Sequence, residues 1–168
     1  MAANTFSNYF LNAFLLLLPI LLWNWALASR LPRAFSAEYF EKDIPVFITT
    51  AENLLRLVIF ILPLFMPLSI STQTQKIGLW LYAVGVCLYF LSWLAQMRFP
   101  ESAWSISVFG FLAPAYTPLI WLAGIGLVGS SLYFPGPYRS WMYCAAAVLF
   151  IGFHVAHTLM VYLRTIRP

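Results

Sequence analysis

Long apolar runs separated by short polar connections make up most of this chain. Five of the runs are long enough to cross a hydrocarbon core about 30 Å thick, which requires roughly 20 helical residues. We therefore predict five transmembrane helices, at about residues 6–28, 52–70, 77–97, 115–132 and 141–163. The connections are too short to form a soluble domain, so residues 1–168 are expected to be a single polytopic membrane domain.

Two segments outside these spans have a pattern that favours the membrane surface. Residues 33–43 follow a proline and alternate aromatic with charged side chains, which is typical of a short helix in the plane of the interface. The fourth apolar run, Ala103 to Phe134, is too long for one straight crossing at about 1.5 Å per residue. We expect its prolines to separate an interfacial piece at 103–112 from the fourth span.

The scarcity and distribution of charge support a membrane protein with a defined orientation. Only 8% of the residues are charged, whereas about a quarter are charged in soluble globular domains. With the N-terminus outside and the C-terminus inside, the basic residues satisfy the positive-inside rule. Those on the inner side are Arg30, Arg33, Lys42, Arg98, Arg164 and Arg167, and those on the outer side are Lys76 and Arg139.

The first apolar run is expected to stay in the protein as a helix. It ends in Ala26-Leu27-Ala28, which resembles a cleavage site, but no Lys or Arg precedes it as a secretory signal requires. The expected location is a bacterial or archaeal cell membrane, or the endoplasmic reticulum membrane if the protein is eukaryotic. Because the basic residues are explained by topology, no nucleic-acid partner is expected.

Most polar groups within the spans fall in the inner half of the predicted bundle. Counted from the inner boundary, Asn24, Gln96 and Arg56 lie within one or two turns, whereas His157 and His154 lie deeper. Ionisable groups at membrane depth are costly and are therefore candidates for a functional site. If the helices converge, these groups line a polar pocket that opens to the inner side.

Glu52 and Arg56 have a structural and a functional interpretation. The spacing Thr49-x-x-Glu52 predicts a capping box at the start of the second span, and Glu52 precedes Arg56 in the order that favours a helical ion pair. In the functional interpretation, Glu52 transfers protons and the planar guanidinium of Arg56 binds a carboxylate or a phosphate. The predicted binding residues are Arg56, Asn53, Asn24 and Gln96.

His154 and His157 lie three residues apart and share one helix face. They can be structural histidines that hydrogen-bond between helices, or general acid–base groups, because imidazole titrates near neutral pH. They can also be metal ligands, with Glu52 as the nearest third ligand. We predict His157, His154 and Glu52 as catalytic candidates, predict no metal site, and cannot assign a cofactor from these residues.

The favoured function is binding of, or action on, a lipid-like or hydrophobic small molecule in the inner-leaflet half of the bundle. Membrane lipids would surround the helices, and whether a reaction follows binding is left open. One alternative is a non-catalytic subunit of a larger membrane complex, which would pack through Gly126-x-x-x-Ser130. The second is a transporter or channel, which at this size would form homo-oligomers.

Overall fold

A computed structural model describes residues 10–166, which form helices and turns without a β-strand. The helices are α1 (Leu18–Leu27), α2 (Ala37–Phe40), α3 (Val46–Ile61), α4 (Gln73–Arg98), α5 (Val108–Tyr116), α6 (Pro118–Val128) and α7 (Ser140–Ile166). Short 3-10 turns flank several of them, at Ala13–Leu16, Ala28–Arg30, Arg33–Phe35 and Leu62–Phe65. The chain is therefore all-α over the described range, as predicted.

Five helical segments within the described residues are long and apolar enough to cross a membrane. They are Ala13–Arg30, Val46–Phe65, Gln73–Arg98, Val108–Val128 and Ser140–Thr165. Large hydrophobic side chains such as Trp25, Leu54, Leu91 and Leu149 lie exposed on their outer faces, as expected of a surface that contacts lipid chains. The predicted start of the first span at residue 6 and the inner-side Arg167 lie outside the described residues.

The second span begins earlier than predicted, and the predicted capping box does not form. Helix α3 starts at Val46, with Pro45 at its N-cap and no side-chain cap. The Thr49 hydroxyl donates to the Val46 carbonyl in the first turn, while Glu52 lies further inside the helix and is buried. The sequence predicts that the span begins at Glu52, because a carboxylate is costly inside a membrane helix. In the structure Glu52 lies inside the helix, so this charged residue does not mark the start of the span.

The fourth apolar run also differs from its predicted division. Turns occupy residues 101–107, and the helix expected at 103–112 begins instead at Val108 and is largely buried. Pro114 lies inside α5 and Pro118 is the first residue of α6. The prolines therefore interrupt the span internally, next to Thr117, because proline removes a backbone donor that a continuous helix would need.

The connection after the first span contains less helix than predicted for residues 33–43. It consists of the 3-10 turn at Arg33–Phe35 and the single turn of α2. After α2 the chain reverses direction through Asp43, whose φ of 55° lies in the left-handed region. An aspartate tolerates this conformation better than a bulky residue.

Glycines allow α4 and α6 to pack with their backbones in close contact. A Cβ added to Gly85 would lie 2.4 Å from the Trp121 backbone nitrogen, and one added to Gly124 would lie 2.6 Å from the Gly78 carbonyl oxygen. On the opposite side of α6, Gly126 lies against the Cys144 side chain of α7. Gly126 of the predicted Gly126-x-x-x-Ser130 face thus packs inside the chain, as small residues do between membrane helices. Ser130 lies beyond the end of α6 and is exposed.

The first span contacts α4 through side chains. The Tyr82 hydroxyl donates to the Leu16 carbonyl at 2.7 Å, the Tyr89 hydroxyl donates to Asn24 Oδ1 at 2.7 Å, and Trp23 stacks on Phe90. Helix α3, in contrast, packs on α7, where the Tyr143 hydroxyl donates to the Ile59 carbonyl. The start of the first span is also joined to the segment after α3, where the Ala13 amide donates to the Met66 carbonyl and the Leu68 amide donates to the Leu11 carbonyl. Further along, a cavity lies between α1 and α3.

The close contact of α4 and α6 predicts a large cost for Gly85→Ala. The added methyl would overlap the backbone of Trp121, and we expect the free energy of unfolding in detergent to fall by about 1–3 kcal/mol. Gly152→Ala on α7 is a matched control, since no atom lies within 4 Å of its added Cβ and the change should be neutral or slightly stabilising. Equal stability of the two variants would contradict the packing described above.

Candidate functional site

A buried carboxylate, that of Glu52, lies at the centre of the polar groups. The residue is 2% exposed. Its Oε1 accepts hydrogen bonds from Arg56 Nη2 and from His154 Nδ1, the latter at 3.0 Å, and its Oε2 contacts His157 Nδ1 at 2.7 Å. A buried charge is tolerated when it is paired and fully hydrogen-bonded, and these three contacts meet that condition.

Helix periodicity on two packed helices brings these groups together. Glu52 and Arg56 are four residues apart on α3, and His154 and His157 are three residues apart on α7, so each pair shares one face. Helices α3 and α7 pack against each other with these two faces in contact. The structure thus unites all three predicted catalytic candidates and the main predicted binding residue in one cluster.

The two histidines have different surroundings. His157 is 3% exposed, and its Nε2 lies 3.1 Å from the Phe40 carbonyl oxygen, so both ring nitrogens have a partner. The side chain of His154 is 23% exposed, and no described residue forms a hydrogen bond with its Nε2. Its ring stacks on Phe150 with the centroids 5.5 Å apart. Only His154 therefore has a ring nitrogen available to a ligand.

Arg56 lies at the boundary between the cluster and open space. Its Nη1 donates to Asn53 Oδ1 at 3.0 Å, and its guanidinium carbon lies 5.9 Å from the centre of the Phe150 ring. The side chain is 44% exposed. A guanidinium has more N–H groups than its bonds to Glu52 and Asn53 use, so further donors remain for an incoming acceptor.

A cavity of about 470 Å³ lies between α1 on one side and α3 and α7 on the other, and Arg56 is part of its wall. Its volume falls within the range of small-molecule sites. Polar groups are few and lie among aromatic and aliphatic walls. The lining residues are Ile20, Leu21, Asn24, Arg56, Phe60, Tyr89, Trp93, Pro114, Pro118, Trp121, Phe150 and His154.

A second cavity of about 200 Å³ lies beneath the connection between the first two spans, against Phe35 and Phe40. It shares part of its wall, including His154, with the larger cavity. Trp121, on the wall of the larger cavity, has a buried indole N–H without a hydrogen-bond partner among the described residues. The space around His154 therefore combines an aromatic enclosure with an unused ring nitrogen.

Two predicted binding residues have a structural role. Gln96 Nε2 donates to the Gly110 carbonyl at 2.9 Å and to the Ser105 carbonyl, which fixes the turn before α5, and Gln96 is not part of either cavity wall. Asn53 orients Arg56 through its side-chain oxygen. Asn24 does line the larger cavity, where its oxygen accepts from Tyr89.

Helix α7 also holds the connection between the first two spans. Arg164 donates to the carbonyls of Tyr39 and Lys42 and lies over the Tyr39 ring. Hydrogen bonding from Thr165 and then from Arg164 lowers the pKa of the Tyr39 phenol from its ordinary value. Together with the contact between His157 and Phe40, these bonds hold the connection against α7. The connection forms one wall of the smaller cavity.

The sequence prediction missed the aromatic part of the site. Tyr89, Trp93 and Trp121 form a cluster with ring centroids about 6 Å apart along the cavity wall. For Tyr89 and Trp121 the available signal was their position, because both lie more than one turn inside their spans and not at the ends, where interfacial belts form. Among the described residues, no group of three or more His, Cys, Asp or Glu side chains could hold a metal ion.

The three donors around Glu52 predict that Glu52→Gln is strongly destabilising. A glutamine would leave Arg56 and His157 without their anion, and removing one partner of a buried ion pair costs about 3–5 kcal/mol. Glu101→Gln, at an exposed turn, is the control and should change the free energy of unfolding by less than about 0.5 kcal/mol. Unfolding of both variants in detergent would be compared, and wild-type stability of Glu52→Gln would refute the pairing.

The chain was compared with protein-family models, curated proteins and solved structures, and it matches none of them.

Proposed function

We propose that this chain is a multi-pass membrane protein that binds an amphipathic molecule with an anionic head group in the cavity between α1 and α3. The observation that carries the proposal is the cavity of about 470 Å³ in which Arg56 and His154 meet aromatic walls. The N-terminus would lie outside and the C-terminus inside, in a bacterial or archaeal cell membrane or in the endoplasmic reticulum membrane. The head-group site would then lie in the inner-leaflet half.

The distribution of charge supports this orientation. The connection after the first span, the end of α4 and the end of α7 belong to the same end of the bundle, linked by the contacts of Arg164 and by stacking of Phe35 on Phe111. That end carries most of the basic residues in the described range, which suits the inner side. They are Arg30, Arg33, Lys42, Arg98 and Arg164, against Lys76 and Arg139 at the opposite end.

Arg56 supports an anionic head group. Its guanidinium borders the cavity with unused N–H groups, and the planar fork of arginine matches a carboxylate or a phosphate with paired hydrogen bonds. Asn53 and Glu52 hold the guanidinium in place, so a ligand would meet a preorganised cation. Little side-chain freedom would be lost on binding, which favours affinity.

The rest of the cavity supports an apolar tail. Phe60, Trp93, Trp121 and Phe150 lie on its wall, and most of the exposed cavity surface is carbon. Removing apolar surface from water contributes about 25 cal/mol per Å², so a hydrocarbon chain along these rings would add to the head-group contact. A molecule with one charged end and one apolar end satisfies both parts of the site.

The proposal predicts that head-group charge and Arg56 together determine affinity. Radiolabelled dodecanoate and dodecyltrimethylammonium, which have the same tail and opposite charges, would be bound to the protein in lipid nanodiscs, with empty nanodiscs subtracted. The wild type should prefer dodecanoate. Arg56→Gln should weaken dodecanoate binding by about ten- to a hundredfold, the range for a hydrogen bond to a charged group.

Lys76→Gln is the control for this measurement, because it removes a cation at the opposite end of the bundle. It should leave dodecanoate affinity unchanged. Equal binding of the two amphiphiles, or equal dodecanoate affinity of Arg56→Gln and wild type, would overturn the proposal.

A further inference from the structure

His157 is enclosed by two hydrogen-bond acceptors. Its Nε2 faces the Phe40 carbonyl oxygen at 3.1 Å, and a carbonyl only accepts, so Nε2 carries a hydrogen. Its Nδ1 faces Glu52 Oε2 at 2.7 Å. Since Glu52 also accepts from the Arg56 guanidinium, it is an ionised carboxylate. Both nitrogens of His157 therefore carry hydrogens, and the ring is a cation with no atom left for a ligand.

His154 differs from His157 because only one of its ring nitrogens has a hydrogen-bond partner among the described residues. Its Nδ1 lies 3.0 Å from the Glu52 oxygen that Arg56 also contacts, so Nδ1 is the donor. The other charged or titratable groups facing this carboxylate are Arg56 and His157, and a third cation beside them would be repelled. With hydrogen on Nδ1 alone, the Nε2 of His154 is a bare acceptor. Its ring belongs to both cavity walls.

The cluster as a whole has an excess of positive charge. One carboxylate, that of Glu52, is balanced against two cations, Arg56 and His157. At the connection beyond His157, Lys42 is flanked in sequence by Glu41 and Asp43, and Arg164 binds backbone carbonyls and not a carboxylate. One further negative charge beside Arg56 would neutralise the site.

Resting on the proposed anion site, we infer that the head group of the ligand combines one anionic group with one hydroxyl. The anion accepts from Arg56, and the hydroxyl donates to His154 Nε2. An α-hydroxy fatty acid has this chemistry, and so does a monoalkyl phosphate that retains one P–OH. No bond is broken, and His157 acts as a positioning residue that holds Glu52 and, through it, the Nδ1–H form of His154.

The inference is tested with a matched pair of probes, dodecanoate and α-hydroxydodecanoate, which differ only in the hydroxyl. Wild-type protein in nanodiscs should bind the hydroxy acid about two- to tenfold more tightly, as expected for one neutral hydrogen bond. In His154→Phe, which keeps an aromatic ring on Phe150, that preference should disappear while dodecanoate still binds. The same hydroxyl preference in His154→Phe as in wild type would overturn the inference.

A second measurement requires no substitution that could disturb folding. The chain has two histidines, so long-range proton–nitrogen correlation spectra of protein with labelled imidazole nitrogens should contain two ring systems. At neutral pH, we expect one ring with hydrogen on both nitrogens and one with hydrogen on Nδ1 alone. A ring with hydrogen on Nε2 alone would overturn the inference.

The outcomes separate this inference from the proposed function. If dodecanoate binds in an Arg56-dependent manner and the hydroxyl adds nothing, the inference fails and the anion site stands. If neither acid binds the wild type, the anion site fails and the inference fails with it.

Discussion

The buried carboxylate of Glu52 constrains the structure more than any other single group. An ionised side chain with 2% exposure is stable only when several donors converge on it. Here the donors come from its own helix, through Arg56, and from α7, through His154 and His157. The relative position of α3 and α7 is thereby fixed, because sliding either helix by one residue would turn a donor away. His157 extends this constraint to the connection at Phe40.

The space beside the cluster follows from how the other helices pack. The glycines on α4 and α6 bring those helices into backbone contact. The first span is held by hydrogen bonds from Tyr82 and Tyr89, by one stacked ring pair, and at its start by backbone hydrogen bonds with Met66 and Leu68. A helix attached at a few points leaves room beneath it, and that room adjoins Arg56 and His154. Tight packing on one side of the bundle and sparse packing on the other thus create a cavity at the charged groups.

Helix number and helical class could be predicted from the sequence, since each depends on composition along the chain. The direction in which a side chain points could not. Gln96 was expected to line the pocket, but it bonds to the carbonyls of Ser105 and Gly110. In a helix that is apolar on all sides, periodicity does not identify the buried face. For the same reason Tyr89 and Trp93 could not be identified as cavity residues. Glu52 was misplaced for a different reason, because its charge marks the start of the predicted span.

Native mass spectrometry of the protein extracted from its membrane with a mild detergent tests the central claim most directly, because it requires no choice of probe. The wild type should retain an acidic amphiphile at one copy per chain, and Arg56→Gln, prepared in parallel, should lose it. A wild-type protein that carries no bound molecule, or an amphiphile retained equally by both proteins, would contradict the account.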